Sequence, residues 1–145
     1  MKIGAVGLGN RIAHVFHELF QINQDVKLVS YVEPLPIGKD YAEKHNFFPK
    51  KTYATLDEML TNEKLDLLMI GSPNHLHLEH IKIGLNAGVK IFAEKPIVVD
   101  ENQSFELAKL LGEFGQDQVL VGLVLRYSQH ARSVRSLIDK NALGN

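Results

Sequence analysis

Residues 2–22 read KIGAVGLGNRIAHVFHELFQI, and this stretch decides the fold. Its first part, from Ile3 to Val6, is a short apolar run that ends at Gly7, a pattern typical of a buried strand. From Arg11 onward the apolar residues recur at helical spacing, namely Ile12, Val15, Phe16, Leu19 and Phe20. The stretch therefore predicts a strand, a glycine turn and an amphipathic helix.

The rest of the chain repeats this alternation. Apolar runs predict further strands over 26–32, 65–70, 89–93 and 119–121. Helices are predicted over 41–45, after an N-cap at Thr55, over 77–87, after an N-cap at Asp100, and over 128–140. Buried strands that alternate with helices favour an α/β fold, a doubly wound parallel (Rossmann) sheet. In such sheets ligands bind beyond the carboxyl ends of the strands.

Composition restricts the class of protein. The 145 residues suit one soluble domain, and sixteen basic against seventeen acidic residues give a net charge of −1. This balance argues against a nucleic-acid partner, which calls for a basic excess. The chain has no cysteine, which excludes disulfides and thiolate chemistry and fits a cytoplasmic location. We expect no membrane span and no cleaved signal peptide, because no apolar run is long enough and a strand follows Met1 directly.

The glycine turn is the first candidate site. Gly7, Leu8, Gly9, Asn10 and Arg11 join the first strand to the first helix. Gly7 would permit a tight turn, and Gly9 would let a pyrophosphate approach the backbone amides at the helix N-terminus. The third glycine of the usual pattern is replaced by Ile12, so the helix is expected to stand slightly further from the sheet. Taken alone, the two glycines are also compatible with a strand–helix turn that binds no ligand.

An acid after the second strand strengthens the dinucleotide interpretation. Glu33 lies about 20 residues beyond the turn, where a carboxylate can bind the ribose hydroxyls of adenosine. The same charge would repel a 2′-phosphate, which favours NAD over NADP. Arg11 would either reach a phosphate or lie on the helix surface.

Three histidines crowd the segment Ser72-Pro73-Asn74-His75-Leu76-His77-Leu78-Glu79-His80. A metal site is one interpretation, since imidazole is a common ligand. Spacings of two and five residues spread the rings around a helix, however, so we predict no metal. His75 and His80 are then expected at the surface or at a helix cap.

Glu94-Lys95-Pro96 directly follows the fourth predicted strand. A lysine there would point into the crevice, partly shielded from water, and could move the proton of a substrate hydroxyl. The alternative is a surface lysine beside a turn proline, whose peptide bond can be cis or trans.

Taken together, these segments resemble the glucose–fructose oxidoreductase, inositol dehydrogenase and MocA (Gfo/Idh/MocA) family over nearly the whole chain. The resemblance rests on motifs in a fixed order: Gly7 to Arg11, Glu33-Pro34, Ser72 to His77, Ala87 to Lys90, Glu94 to Pro96, Val121-Gly122, Arg126-Tyr127, Leu137-Ile138 and Leu143-Gly144.

The resemblance implies an NAD-dependent dehydrogenase of sugars, inositols or related polyols, in which residues 1–122 bind the cofactor and 123–145 lead toward a second, substrate-binding domain. Lys95 matches the active-site lysine, and Arg126 and Tyr127 match the substrate side. Residues beside the cofactor are matched by Ser72, Pro73, Asn74, His77 and Glu94. We expect the second domain to be absent, the chain alone to turn over nothing, and the full protein to be a homo-oligomer. The apolar residues Leu123, Val124 and Leu125 would then form an exposed seam.

Two rival functions remain at this point. The same resemblance covers a transcriptional repressor that binds NAD, so a non-catalytic sensor is one alternative; the presence of Lys95 favours an enzyme. A metal-dependent hydrolase using the histidine segment is the other.

Overall fold

A computed structural model describes residues 1–32, 38–49 and 51–142. Its central feature is a parallel sheet of six strands in the order β3-β2-β1-β4-β5-β6. The strands are β1 (Lys2–Val6), β2 (Lys27–Val32), β3 (Lys51–Tyr53), β4 (Leu67–Ile70), β5 (Lys90–Ala93) and β6 (Val119–Val121). The helices are α1 (Asn10–Ile22), α2 (Lys39–Lys44), α3 (Leu56–Asn62), α4 (His77–Asn86), α5 (Glu101–Phe114) and α6 (Gln129–Asp139). This confirms the doubly wound α/β fold, whose strand order reverses between β1 and β4. Of the motifs singled out above, Glu33-Pro34 and Leu143-Gly144 lie outside the described residues.

Helix ends follow the expected local chemistry. The side chains of Thr55 and Asp100 accept hydrogen bonds from the amides of Glu58 and Gln103 and so cap α3 and α5. The side chain of Gln103 in turn accepts from the amide of Val99. α4 ends before Gly88, whose φ of +71° lets the chain turn back into β5.

The sheet separates two hydrophobic cores. One contains Met59, Leu68 and Ile81 and lies under the face that α3, α4 and α5 cover. The other contains Ile3, Ile12 and Phe16, on the face that α1 and α2 cover. Successive residues of a strand point to opposite faces, so Leu68 joins the first core and Met69 the second. Burial on both faces explains why the inner strands are apolar throughout rather than alternating.

The sequence predicted five strands, and β3 is the sixth strand, which it did not predict. It has three residues at the sheet edge and pairs with β2 from Ser30↔Lys51 to Val32↔Tyr53. Its sequence Lys-Thr-Tyr gives no apolar run. Glu63, at the end of α3, accepts hydrogen bonds from Lys51 Nζ and from the hydroxyl of Tyr53, and thereby ties the strand to that helix.

The last segment contributes little to either core. Gln129–Asp139 forms the expected helix α6, but none of its residues is buried. Leu123, Val124 and Leu125 are 45%, 48% and 79% exposed, so the expected apolar seam lies open to solvent. Within the three described ranges, no helix combines the length and the apolar character needed to cross a bilayer.

Candidate functional site

The loops that follow β1, β4 and β5 surround one crevice at the carboxyl edge of the sheet. Its volume is about 520 Å³, and its walls are formed by Gly9, Arg11, Ile12, Gly71, Ser72, Asn74, His77, Glu94, Lys95 and Val124. Seven residues singled out from the sequence therefore converge: Gly9, Arg11, Ser72, Asn74, His77, Glu94 and Lys95. Among the other expected cofactor residues, Gly7, Leu8, Asn10 and Pro73 lie next to these in the chain, and Glu33 lies outside the described residues.

The two glycines of the first turn meet different demands. Gly7 has a φ of +79°, and a Cβ added there would overlap the backbone of Gly71 and Ser72. The turn therefore needs glycine for its own geometry, as the sequence predicted. Gly9 has an ordinary φ of −79°, and a Cβ on it would meet no atom within 4 Å. Nothing in the described chain requires glycine at position 9, so the open space beside it is available to a ligand.

The N-terminus of α1 faces this space without a side-chain cap. Gly9 occupies the N-cap position, and no side chain accepts from the first amides of the helix. Free amides and the positive end of the helix dipole together favour an anion at this point. Asn10 is exposed and its carbonyl oxygen is bonded to His14 Nδ1 at 2.6 Å, whereas the side chain of Leu8 is completely buried in the core. Leu8 can thus reach a ligand only through its backbone.

Ile12 fits against the sheet because the neighbouring strand end provides the room. Its side chain is completely buried, and a Cβ added to Gly71 would overlap Ile12 Cγ1. The usual pattern has a glycine in the helix, at the position of Ile12. In this chain the glycine that permits close packing of helix and sheet is Gly71, on the strand side, directly after β4. Neither Gly71 nor Ile12 was singled out as a site residue; the signal that identifies Gly71 is a glycine directly after a crevice strand.

Arg11 has a half-exposed side chain on the first turn of α1 and an ion-pair partner that the sequence did not predict. Its Nε donates to Oε1 of Glu94 at 3.1 Å, and this ion pair spans the crevice between the β1 and β5 loops. The Glu94 side chain is 8% exposed, and its Oε2 lies 3.4 Å from the backbone amide of Lys95. A Cβ on Gly122 would come within 3.1 Å of Glu94 Oε1. One buried carboxylate thus links the loops after β1, β5 and β6.

His77 and His80 point inward from α4 rather than outward. His77 is 1% exposed, with Nδ1 2.8 Å from the carbonyl oxygen of Pro96 and Nε2 2.8 Å from that of Ser72. His80 Nδ1 lies 2.9 Å from Ser72 Oγ. Burial lowers the pKa of His80, with a smaller contribution of the same sign from His77, although Glu79 opposes it. The neutral ring is thereby favoured, and it orients the Ser72 hydroxyl.

This arrangement corrects the expectation that His80 lies at the surface or at a cap. His75 does lie exposed, on the single 3-10 turn at Asn74–Leu76. Across the described ranges no three histidine, cysteine, aspartate or glutamate residues come together as a metal site. The rings of His77 and His80 are instead occupied by backbone carbonyls and by a serine hydroxyl.

Lys95 stands where two cavities meet. It borders the crevice and also a second, apolar cavity of about 340 Å³ whose other walls are Gly122, Leu123, Val124, Leu125 and Arg126. The expected partial shielding of Lys95 is wrong for this chain, because its side chain is exposed. The Lys95–Pro96 peptide is cis. Val124 also borders both cavities; the sequence placed it only in the apolar seam.

Arg126 and Tyr127 are separated by this geometry. Arg126 borders the second cavity beside Lys95. Tyr127 is 57% exposed and is absent from the described walls of both cavities. The second residue of the expected pair therefore faces solvent in this chain.

Comparisons with known proteins identify the family to which the chain belongs. The family model of the Gfo/Idh/MocA oxidoreductases, described as an oxidoreductase family with an NAD-binding Rossmann fold, matches residues 1–136. An inositol 2-dehydrogenase of Rhizobium meliloti is 27% identical over 99% of this chain and 42% of its own length. An inositol 2-dehydrogenase/D-chiro-inositol 3-dehydrogenase of Lactiplantibacillus plantarum is 22% identical, again over 99% of this chain and 41% of its own.

Solved structures give the same result. The scyllo-inositol dehydrogenase of Lactobacillus casei, solved with NAD(H) and scyllo-inositol, superposes on the whole chain with a TM-score of 0.83 and 27% identity. This chain covers 42% of that protein, so it spans about two fifths of the length of the relatives it matches. The fold, the crevice and the match over 1–136 lead to one conclusion: the chain belongs to the Gfo/Idh/MocA family of oxidoreductases and forms its NAD-binding Rossmann domain.

Proposed function

We propose that this chain binds NAD and provides the cofactor-binding part of a dehydrogenase that oxidises a secondary alcohol of an inositol, a sugar or a related polyol. One observation carries the proposal: the open backbone at Gly9 and the side chain of Lys95 border the same crevice. Had these two groups lain on opposite sides of the sheet, a diphosphate and a proton-transferring amine could not serve one reaction.

The diphosphate would lie over Gly9 and the first amides of α1. The space beside Gly9 and the missing side-chain cap fit such a group, because free amides and the helix dipole both favour negative charge. Arg11 is half exposed and already at the mouth of the crevice, so its guanidinium adds positive charge there. Ser72, Pro73, Asn74 and Glu94 would then lie along the path toward the nicotinamide.

Lys95 would act where cofactor and substrate meet. When bound, NAD supplies the hydride acceptor, and the protein supplies position and proton handling. The amine of Lys95 would hydrogen-bond the reacting hydroxyl and help to carry away its proton as the C–H hydride leaves for the nicotinamide. Its place between the crevice and the apolar cavity beside Arg126 supports this role, because two ligands that react must meet at one wall.

The preference for NAD is proposed from Glu33, and the substrate class from the relatives. A carboxylate at the end of the second strand would bind ribose hydroxyls and repel a 2′-phosphate. The relatives named above are inositol dehydrogenases. We further propose residues 1–122 as the cofactor domain and 123–145, with Arg126 and Tyr127, as the segment toward a substrate domain. A homo-oligomer of the complete protein remains part of this proposal.

Calorimetric titration of the 145-residue chain with NAD and with NADP tests the proposal. We expect saturable NAD binding, weaker NADP binding, and no NADH formation from myo-inositol by this chain alone. Lys95→Met is the matched variant, since it keeps the stem of the side chain and removes the amine; it should retain NAD binding. Absence of NAD binding by the folded wild-type chain would refute the cofactor role, and tighter binding of NADP would refute the role of Glu33.

A further inference from the structure

We infer that His77 is a positioning residue that holds the Lys95 turn against the loop after β4. The functional meaning of this inference rests on the proposed role of Lys95. His77 is the first residue of α4 and is 1% exposed. Its two ring nitrogens each lie 2.8 Å from a backbone carbonyl oxygen, that of Pro96 for Nδ1 and that of Ser72 for Nε2.

The two partners belong to different loops of the crevice. Ser72 follows β4, whereas Pro96 follows β5 and is bonded directly to Lys95. A carbonyl oxygen only accepts hydrogen bonds, so each contact requires an N–H on the ring. A neutral imidazole supplies one N–H and an imidazolium supplies two. A ring with nitrogens on opposite sides can therefore join these loops, which an aliphatic side chain of similar volume cannot.

Lys95 depends on this support because, within the described ranges, no hydrogen bond holds its side chain. In the part of the chain that the structure describes, the hydrogen bonds around Lys95 involve its backbone amide, which faces Glu94 Oε2, and the carbonyl of the next residue, Pro96. The backbone of the turn thus sets the position and direction from which the Lys95 side chain leaves the turn. His77 Nδ1 contacts the carbonyl oxygen of Pro96, directly after Lys95, while Glu94 Oε2 faces the backbone amide of Lys95.

Two substitutions separate the two ends of the ring. The amide nitrogen of asparagine can occupy the place of Nδ1, and that of glutamine can reach the place of Nε2. His77→Asn should therefore keep the donor to Pro96 and lose the contact with Ser72, whereas His77→Gln should do the reverse. His77→Phe preserves a ring of similar size without nitrogen and should lose both contacts.

The readout is amide hydrogen exchange in the 145-residue chain, followed separately for the turn at 95–98 and for the loop at 71–74. Loss of one buried hydrogen bond should speed local exchange about five-fold. We expect the turn to exchange faster in His77→Gln than in His77→Asn, and the loop to show the opposite order. A ring that merely fills space would accelerate both segments equally in the two variants, and this result would overturn the inference.

A measurement on the unchanged chain covers the case in which the variants do not fold. The 15N spectrum of the His77 ring should show a protected proton facing each carbonyl; a proton absent from Nδ1 would remove the contact with Pro96, a proton absent from Nε2 would remove that with Ser72, and either result would overturn the joining of the two loops. NAD titration of the same samples adds the functional readout, with weaker binding expected for His77→Asn than for His77→Gln, because His77→Asn loses the contact with the Ser72 loop that is proposed to border the cofactor. Failure of the wild-type chain to bind NAD would count against the proposed function, while the exchange pattern would still decide the role of His77.

Discussion

At the scale of single residues, the β1–α1 turn distinguishes what the fold needs from what a ligand needs. Gly7 adopts a positive φ and touches the backbone after β4, so the protein itself leaves no room for a side chain at this position. Gly9 has an ordinary backbone and empty space around it. The sequence predicted a turn at Gly7 and close approach of a ligand at Gly9, and substitution can test these two roles separately.

The paired substitutions Gly7→Ala and Gly9→Ala should have opposite effects. Gly7→Ala forces a Cβ into the backbone of Gly71 and Ser72 at a positive φ, and we expect it to cost about 2 kcal/mol or more of unfolding free energy. Gly9→Ala should change stability by less than about 1 kcal/mol. It should nevertheless weaken NAD binding about tenfold or more, because its methyl group occupies the space proposed for the diphosphate. Urea unfolding and calorimetric titration provide the two measurements.

Lys95→Met serves as a control, since it changes the same crevice without touching the turn. If Gly9→Ala bound NAD as tightly as the wild-type chain, the diphosphate could not lie against Gly9. A stable Gly7→Ala variant would show that the turn tolerates another conformation.

The Arg11–Glu94 pair is a second residue-scale feature with a measurable consequence. Arg11→Met removes the cation from a carboxylate that is only 8% exposed, and we expect a loss of about 1–2 kcal/mol. This value is below the usual cost of breaking a buried pair, because half of the Arg11 side chain is in solvent. The double variant Arg11→Met/Glu94→Gln should recover part of the loss, since no charge is then left unpaired. Urea unfolding of the wild-type chain, of Arg11→Met, of Glu94→Gln and of the double variant measures the coupling; strictly additive effects would contradict it.

Sequence reasoning reached some of these residues and not others. It identified Gly7, Gly9 and Lys95, because each directly follows a strand at the edge where ligands bind. It could not pair Arg11 with Glu94, since 83 residues separate them and only the completed sheet brings the two loops together. The inward placement of His80 was missed for a similar reason: its partner, the Ser72 hydroxyl, lies beside the ring only in the folded chain.

At the scale of elements, predictability follows the amount of apolar surface that each element buries. The inner strands β1, β4 and β5 are apolar on both faces, and the sequence located each of them to within two residues. β3 buries one edge only, and its three residues are exposed or half-buried. Its position depends on Glu63, at the end of α3, rather than on an apolar pattern. Such a strand has no signal of its own in the sequence.

The dependence of β3 on Glu63 predicts an acid sensitivity. Hydrogen bonds from Lys51 and then Tyr53 lower the pKa of Glu63 below its usual value of about 4.3. The unfolded chain therefore binds the proton more readily, so the stabilisation is complete above that value and is lost as the pH falls through the lower, folded pKa. Glu63→Gln should cost about 1 kcal/mol at pH 7 and progressively less in acid. Urea unfolding at several pH values measures this difference.

Glu106→Gln is the matched control, because Glu106 pairs with Lys82 at a surface where both side chains are nearly half exposed. Its effect should be small at every pH. Amide exchange in β2 and β3 locates the loss, and faster exchange spread evenly over the sheet would contradict a local role for Glu63.

At the scale of the whole molecule, the packing is uneven along the chain. Residues up to β6 enclose two cores, whereas the segment after it leaves apolar side chains in solvent. Leu123, Val124 and Leu125 adjoin α6, which exposes Val134, Leu137 and Ile138. Several exposed apolar side chains on neighbouring segments favour an interface. This apolar surface lies next to the cavity bordered by Lys95 and Arg126, so its cover would also close that side of the site.

We therefore expect the 145-residue chain to associate with copies of itself through this surface, in a concentration-dependent manner. Leu125→Lys should weaken the association about tenfold or more, because Leu125 is 79% exposed, the most of the three seam residues, and a charge there opposes burial. Ile22→Lys is the matched control: Ile22 is 83% exposed but lies at the end of α1, outside the seam. Sedimentation velocity over a range of concentrations compares the three proteins. A wild-type chain that stays monomeric at every concentration would show that the seam does not drive association. Equal effects of the two substitutions would show the same, because a charge outside the seam would then act like a charge within it.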